Sequence, residues 1–502
     1  MKIILAGHNI DHDIIREFQN AEPRRQDLTP ETVAAAYARI SRNPRPVNEL
    51  RQIARGEVEK ARASNRNIVF EMGHSSIAEH AVFNLDVLKV SRLLVEEIER
   101  FRLVSYTEKS QRYVLFKDDF VIPGEVRAAG LEEPYIAAVR MQNDFYHTLY
   151  ERLRPWVFDR NPELAADPAN RLLLEGWAKE DARYILPLAT ETQLGMTVNA
   201  RNMELMIRRL AASPLTEGRE CSRLLYEATR GVAPSLVRYT EPTLYDCETP
   251  GALRAAAAGI ISRWAAVPPA DAEKGGSRPE SCGAGDGLVR LLDATPEADE
   301  KIAAALLHSS SELPLQECLR IAGRMELPEK ESLIKTALRR MKGYDAAPRE
   351  FEYAGGTFEL VISATCFAQV KRHRMATITL QGYDPALGVT IPPSIAAVGM
   401  ESAFRDVCAR TEEIWERIRR HSPAAAAYVL TNAHRRRVAM RVSARELYHL
   451  ARVRADRHAQ WDIRETAERM VEQGRKVMPL TLMLASGKDG FDALCARVFA
   501  GD

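Results

Sequence analysis

Apolar positions along this 502-residue chain follow two rhythms. Residues 33–41, 46–63, 135–154, 400–420 and 443–475 place apolar side chains three and four apart, which predicts amphipathic helices. AVFNLDVLKV (81–90) alternates and TFELVIS (357–363) is β-rich, so both predict strands. ETAERMVEQGRKV (465–477) reads as a solvated helix face whose charges carry no functional signal. No run of about 18 apolar residues occurs, so no membrane span is expected. The opening MKIILAGHNIDHD soon turns polar and has no cleavage-site pattern, which argues against a signal peptide.

The pattern repeats. Residues 251–286, rich in Pro, Gly, Ser and Ala, bury little and read as a flexible, exposed linker between residues 1–250 and 287–502. PETVAAAYARISR, MGHSSIAEHAVFNLDV and RFRLVSYTEKSQRY before it parallel PEADEKIAAALLHSS, TFELVIS and VKRHRMATITLQGYDP after it. ILPLATETQLGMTVNARNMELMIRR likewise parallels YVLTNAHRRRVAMRVSARELYHLAR. Four matches in one order indicate a tandem duplication. Each copy runs helix, charged helix, strand, a helix ending in Arg-x-Arg, an irregular loop, helices, a strand and an xARxxxL helix.

Composition narrows the class. Lys and Arg total 70 against 69 Asp and Glu, a net charge of +1, so binding to nucleic acid driven by overall charge is excluded. With 7% aromatic, 46% hydrophobic and 28% charged residues the chain is not broadly disordered. The seven cysteines are scattered without a CxxC pair, against a structural zinc site or disulfide framework. A soluble, cytoplasmic protein is expected.

Three clusters could carry chemistry. In RFRLVSYTEKSQRY (100–113), Ser110, Gln111 and Arg112 offer a hydroxyl, backbone N–H groups and a cation, as a phosphate monoester requires. The alternative is a surface helix end whose arginines favour the C-terminal dipole. Arg372-His373-Arg374 sets an imidazole between two guanidiniums, suiting a pyrophosphate or a flavin edge, or else a basic cluster paired to local carboxylates. His74 and His80 flank Glu79 without a third ligand, so a hydrogen-bonded pair is favoured over a metal site, and no metal is expected. No GxSxG, HExxH, Walker or GxGxxG fingerprint stands in context.

Taken together, GHSSIAEHAVF, RFRLVSYTEKSQRY, LPLATETQLGMTVNAR and RVRADRHAQWDIRETA resemble the flavin-dependent thymidylate synthases, in two copies. That family's signature is Arg-His-Arg, seven residues, then Ser, usually continuing to Arg-Tyr. Arg100, Arg102, Ser110, Arg112 and Tyr113 match its spacing. The resemblance implies an α+β fold with two tandem domains, each a mainly antiparallel sheet with packed helices. It also implies reductive methylation of dUMP to dTMP, using methylene-tetrahydrofolate, NADPH and FAD.

The copies depart from the family pattern in complementary ways. The first has Phe101 for the signature His and Glu97 for the usual Gln, but keeps Glu108, Ser110, Gln111, Arg112 and Arg183. The second keeps Gln369, Arg372, His373, Arg374, Arg445 and Arg454, but has Leu380, Gly382, Asp384 and Ala427 where Glu, Ser and two Arg are expected. Since family sites combine residues from different subunits, the resemblance implies one composite site within a fused pseudo-dimer, and a homodimer of such chains. By the same resemblance, Glu108, Ser110, Gln111, Arg112, Arg183, Gln369 and Arg209 would bind substrate, with Arg454 catalytic. Arg372, His373, Arg374, Ser76, Arg100, Arg102, Asn199, Arg201, Arg445 and His449 would bind the cofactor. A related flavoenzyme acting on another nucleotide and a non-catalytic flavin- or nucleotide-binding regulator remain as alternatives.

Overall fold

The computed structural model describes residues 1–11, 14–15, 28–40, 43–112, 119–264 and 288–500. Two four-stranded antiparallel sheets organise it. The first runs in the order β1 (Lys2–His8), β2 (Val82–Ser91), β4 (Glu191–Asn199), β3 (Val104–Glu108). The second repeats that order with β5 (Val289–Ala294), β6 (Gly355–Ser363), β8 (Arg435–Ser443) and β7 (Thr377–Tyr383).

Alternation in β2 does what the sequence requires. Phe83, Leu85 and Val87 are buried opposite Val198, Met196 and Leu194, while Asn84 and Asp86 face outward. Lys89, at φ 54°, is the extra residue of a bulge between Leu88 and Val90. In the second sheet Phe358 and Leu360 pair with Met440 and Val438. Gly355 is required there, because a Cβ would lie 2.3 Å from the Val442 carbonyl oxygen. Helices Ala200–Ala211 and Thr216–Thr229 cover the first sheet through Met203, Met206, Ile207 and Leu225; Ala444–Arg454 and Trp461–Val477 cover the second through Leu447, Leu450, Ile463 and Met470.

One corner recurs four times. Ser91, Asn199, Ser363 and Ser443 each end a strand, and each side chain caps the next helix, accepting from the N–H of Leu94, Asn202, Cys366 and Glu446. Strand direction thereby fixes where each helix starts, and the signature arginines follow two of these helices.

The compact units do not follow the sequence halves. The first comprises Met1–Tyr146, Leu186–Gly276 and Ala409–Leu430; the second comprises His147–Ile185, Ser277–Cys408 and Thr431–Asp502. Each repeat thus lends a segment to the other's unit. In the second unit, Ser363 Oγ and Tyr184 Oη both donate to Asp462 Oδ2, at 2.6 and 3.0 Å. In the first, Ser91 Oγ and Tyr428 Oη both donate to Glu217 Oε2, each at 2.6 Å. In each case the tyrosine comes from the borrowed segment.

Several elements differ from expectation. The run 443–475 is two helices, broken where Asp456 accepts the N–H of His458 and Gln460 caps Trp461–Val477. The loops after the arginine motifs contain β3 and β7, whose mixed polar sequences hid them. Thr249–Trp264, which runs into the expected linker, is an exposed helix; residues 265–286 lie outside those described. Among the described residues no helix is long and apolar enough to cross a membrane.

Candidate functional site

The second unit gathers a continuous polar network. Helix Ala364–Val370 carries Gln369 and delivers Arg372-His373-Arg374 to the turn before β7. His373 is buried, whereas Arg372 and Arg374 are exposed. Helix Ala444–Arg454 brings Glu446 to His373, with Oε1 3.1 Å from Nδ1, and Arg454 to its other side, with Nε 3.3 Å from Nε2. Arg454 also donates from Nη2 to the Gln369 carbonyl at 3.3 Å. Gln369 Nε2 donates to Gln460 Oε1, and Gln460 Nε2 donates to Tyr184 Oη at 2.8 Å. Beside Tyr184, the buried Arg183 donates to the Glu180 carbonyl, and its own carbonyl accepts from Asn432. A first-repeat arginine and the second-repeat Gln369 and Arg454 therefore belong to one unit.

Carboxyl groups around this network are perturbed. Asp181 accepts from Ser394 Oγ and Trp461 Nε1, yet burial outweighs those bonds and pushes its pKa up to about 6. Burial likewise raises Asp462 against its bonds to Ser363 and Tyr184. His373 is held below the usual histidine range by burial, Glu446 opposing and Arg454 reinforcing.

His373, Glu446 and His449 have ligand atoms within 4.8 Å of one another. A metal fits poorly in this hydrogen-bonding arrangement. An arginine nitrogen only donates, so His373 Nε2 is the acceptor from Arg454; Nδ1 then carries the proton and has no lone pair to offer. His449 is exposed, its ring 5.7 Å from that of His373.

In the first unit Ser110 Oγ accepts the N–H of Arg112 at 3.1 Å, which turns the chain after β3, and Gln111 is buried within that turn. Glu108 pairs with Arg92 at 2.5 Å, both largely buried. The second repeat has Leu380 and Ala364 at these two positions, so charge and countercharge are lost together. Its loop is filled from within: Arg436 lies 4.8 Å from the Phe367 ring and 4.4 Å from Tyr383, and donates to the Gln381 carbonyl.

Comparisons with known proteins agree with the duplicated fold. The model of the thymidylate synthase complementing protein family matches residues 25–235 and again 290–480. The chain belongs to this family. A UPF0159 protein of Thermoplasma acidophilum is 25% identical over 453 residues, covering 82% of this chain and 86% of its own. A flavin-dependent thymidylate synthase of Geobacter sulfurreducens is 30% identical over 221 residues, covering 42% of this chain and 83% of its own. The solved flavin-dependent thymidylate synthase ThyX of Helicobacter pylori, complexed with FAD and dUMP, aligns over 47% of this chain and all of its own at 15% identity, with a TM-score of 0.31.

In this member of the thymidylate synthase complementing protein family, several expected site arginines are held by carboxylates. Arg209 is 3.3 Å from Asp246, Arg201 2.5 Å from Glu79, Arg100 3.0 Å from Glu97 and Arg445 2.8 Å from Glu352. Arg102 is exposed, Asn199 serves as a helix cap, and Phe101 packs against the first core. Ser76, with His74 and His80, lines a cavity of about 710 Å³ in the first unit, where His80 meets Tyr37 edge-on. Cys366 is buried and its thiol pushed up by burial, as is that of Cys221, so neither is poised as a thiolate nucleophile. Glu446, Tyr184, Gln460 and Asp462 are network members that the sequence reading did not single out. Their only signal is position: Glu446 stands three residues after the corner residue Ser443, next to Arg445, and Tyr184 directly follows Arg183.

Proposed function

We propose that the chain catalyses reductive methylation of dUMP to dTMP, with methylene-tetrahydrofolate as carbon donor, NADPH as reductant and FAD as cofactor. The observation that carries this is the bonded line from Arg454 and Gln369, through Gln460, to Tyr184 beside Arg183, which unites residues of both repeats. In this reading Ser110, Arg112 and Arg183 hold the phosphate, while Gln369 and Arg454 take the uracil. Arg454 stabilises negative charge as the ring is activated. No protein nucleophile is needed, consistent with the buried, protonated Cys366 and Cys221.

The residues present suit FAD. Exposed Arg372 and Arg374 can pair with its phosphates. The cavity beside Ser76, in the first unit, is a separate candidate place, within the range of about 300–1,000 Å³ common for ligand pockets. When bound, FAD supplies the hydride chemistry that side chains lack. The chain's own groups bind, orient and neutralise charge. Two chains are proposed to pair, giving four homologous lobes; a monomer by light scattering at micromolar concentration would rule that out.

The deciding assay is NADPH oxidation and dTMP formation by the purified protein with dUMP and methylene-tetrahydrofolate, backed by rescue of a thymidine auxotroph. NADPH oxidation with a different nucleotide would favour a related flavoenzyme, a reading supported by Glu97 being tied to Arg100. A yellow protein that binds dUMP without turnover would be a regulator.

A further inference from the structure

His373 is 3% exposed, and both ring nitrogens are engaged: Nδ1 with Glu446 Oε1 at 3.1 Å and Nε2 with Arg454 Nε at 3.3 Å. Arginine has no acceptor, so Nε2 must accept and the single ring proton sits on Nδ1, donated to Glu446. An imidazolium would instead set an N–H against a guanidinium. The order is therefore carboxylate, imidazole, guanidinium. With Nη2 donating to the Gln369 carbonyl, two nitrogens of Arg454 are fixed and the plane of its guanidinium is set.

The other repeat supplies an internal control. Counting from the capping residues Asn199 and Ser443, Asn202 stands where Glu446 does and Leu210 where Arg454 does; Phe101 takes the place of His373. Asn202 Nδ2 donates to Asn199 Oδ1 instead, and Phe101 joins the core. All three members are absent together, as expected if they work as a unit.

We propose that Glu446 is a positioning residue, which fixes the tautomer of His373 and through it holds the guanidinium of Arg454 in place for the nucleotide base. The base-facing role of Arg454 rests on the function proposed above. On this inference His373 positions Arg454 rather than gripping the flavin.

The test uses the full chain labelled with ¹⁵N. At pH 7 the histidine spectrum reads the tautomer without substrate, and the Arg454 Nε–H resonance reports whether its bond persists. Wild type should show neutral His373 protonated on Nδ1 and a protected Arg454 Nε–H. Glu446→Gln, whose Oε1 still accepts, should keep both, with turnover within about threefold of wild type. Glu446→Leu should lose the tautomer preference and the protection, and lower kcat about tenfold or more while nucleotide KM changes less than about threefold. Should Glu446→Leu not fold, the wild-type and Glu446→Gln spectra decide. His373 protonated on Nε2 in wild type, equal losses in both variants, or kcat and KM failing together would overturn the proposal. A wild type without turnover would instead remove the synthase reading, and the tautomer and Arg454 resonance would then decide the positioning alone.

Discussion

Asp181 shows how one residue's surroundings become a measurable property. Its carboxyl accepts from Ser394 and Trp461, but burial lifts its pKa from 3.8 to about 6. The native state therefore binds this proton more tightly than the unfolded chain, and the group's stabilisation is lost as pH rises from about 4 through 6. Asp181→Asn mimics the protonated form, so the stability of the variant minus that of wild type should grow by about 1 kcal/mol between pH 5 and pH 7. Urea unfolding at the two pH values checks this, and a difference that is flat or shrinks with pH refutes the assignment. Arg372 and Arg374 make a second residue-scale case, since both are exposed at the end of a helix whose intervening His373 is buried. Replacing both with Ala should release flavin, each charge-assisted contact being worth about 1.5–3 kcal/mol. Full flavin occupancy in the double variant, read from the absorption spectrum, would move the cofactor to Arg100, Arg102 and the Ser76 cavity.

At the scale of elements, the repeated corner of strand, capping residue and helix explains what could be read from sequence. Strand β2 was legible because Phe83, Leu85 and Val87 alternate with polar residues, and the arginine motifs because their spacing is local. Strands β3 and β7 were not, since VSYTE and TITLQGY look like loops until β4 and β8 supply partners. Nor were Glu446, Gln460 and Tyr184, which meet their partners only across 73, 91 and 276 residues of chain. Tyr184→Phe removes a hydroxyl that serves both Asp462 and Gln460, so it should cost about 1–3 kcal/mol in urea unfolding and weaken nucleotide binding through Gln369. Tyr428→Phe, at Glu217, should cost a similar amount of stability without touching Gln369. Equal effects of the two on nucleotide affinity would break the proposed link. The loops give a sharper contrast. Arg112→Ala should weaken dUMP binding by about 2–4 kcal/mol in calorimetry, the phosphate losing a charged partner. Asp384→Arg should restore nothing, because Arg436 already fills that loop against Phe367 and Tyr383.

Across the whole molecule, the duplication visible in the sequence and the units of the structure do not coincide, and the mismatch has a consequence. Residues 147–185 belong to the second unit and 409–430 to the first, so each repeat completes the other's buried Ser–carboxylate–Tyr cluster, and Ile418, Tyr428 and Val429 also join the first unit's core. Tyr184 and Tyr428 are both fully buried, and stripping either segment from its unit would leave a hole of side-chain size together with a carboxylate deprived of a donor. A protease site placed in residues 265–286 tests the exchange directly. Cleavage there leaves two fragments, each contributing chain to both units, so the nicked protein should run as one particle by size exclusion in native buffer. It should part only in denaturant, near the unfolding midpoint of the intact chain. Fragments that separate in native buffer, with each keeping its own secondary structure by circular dichroism, would mean that each repeat closes its own core.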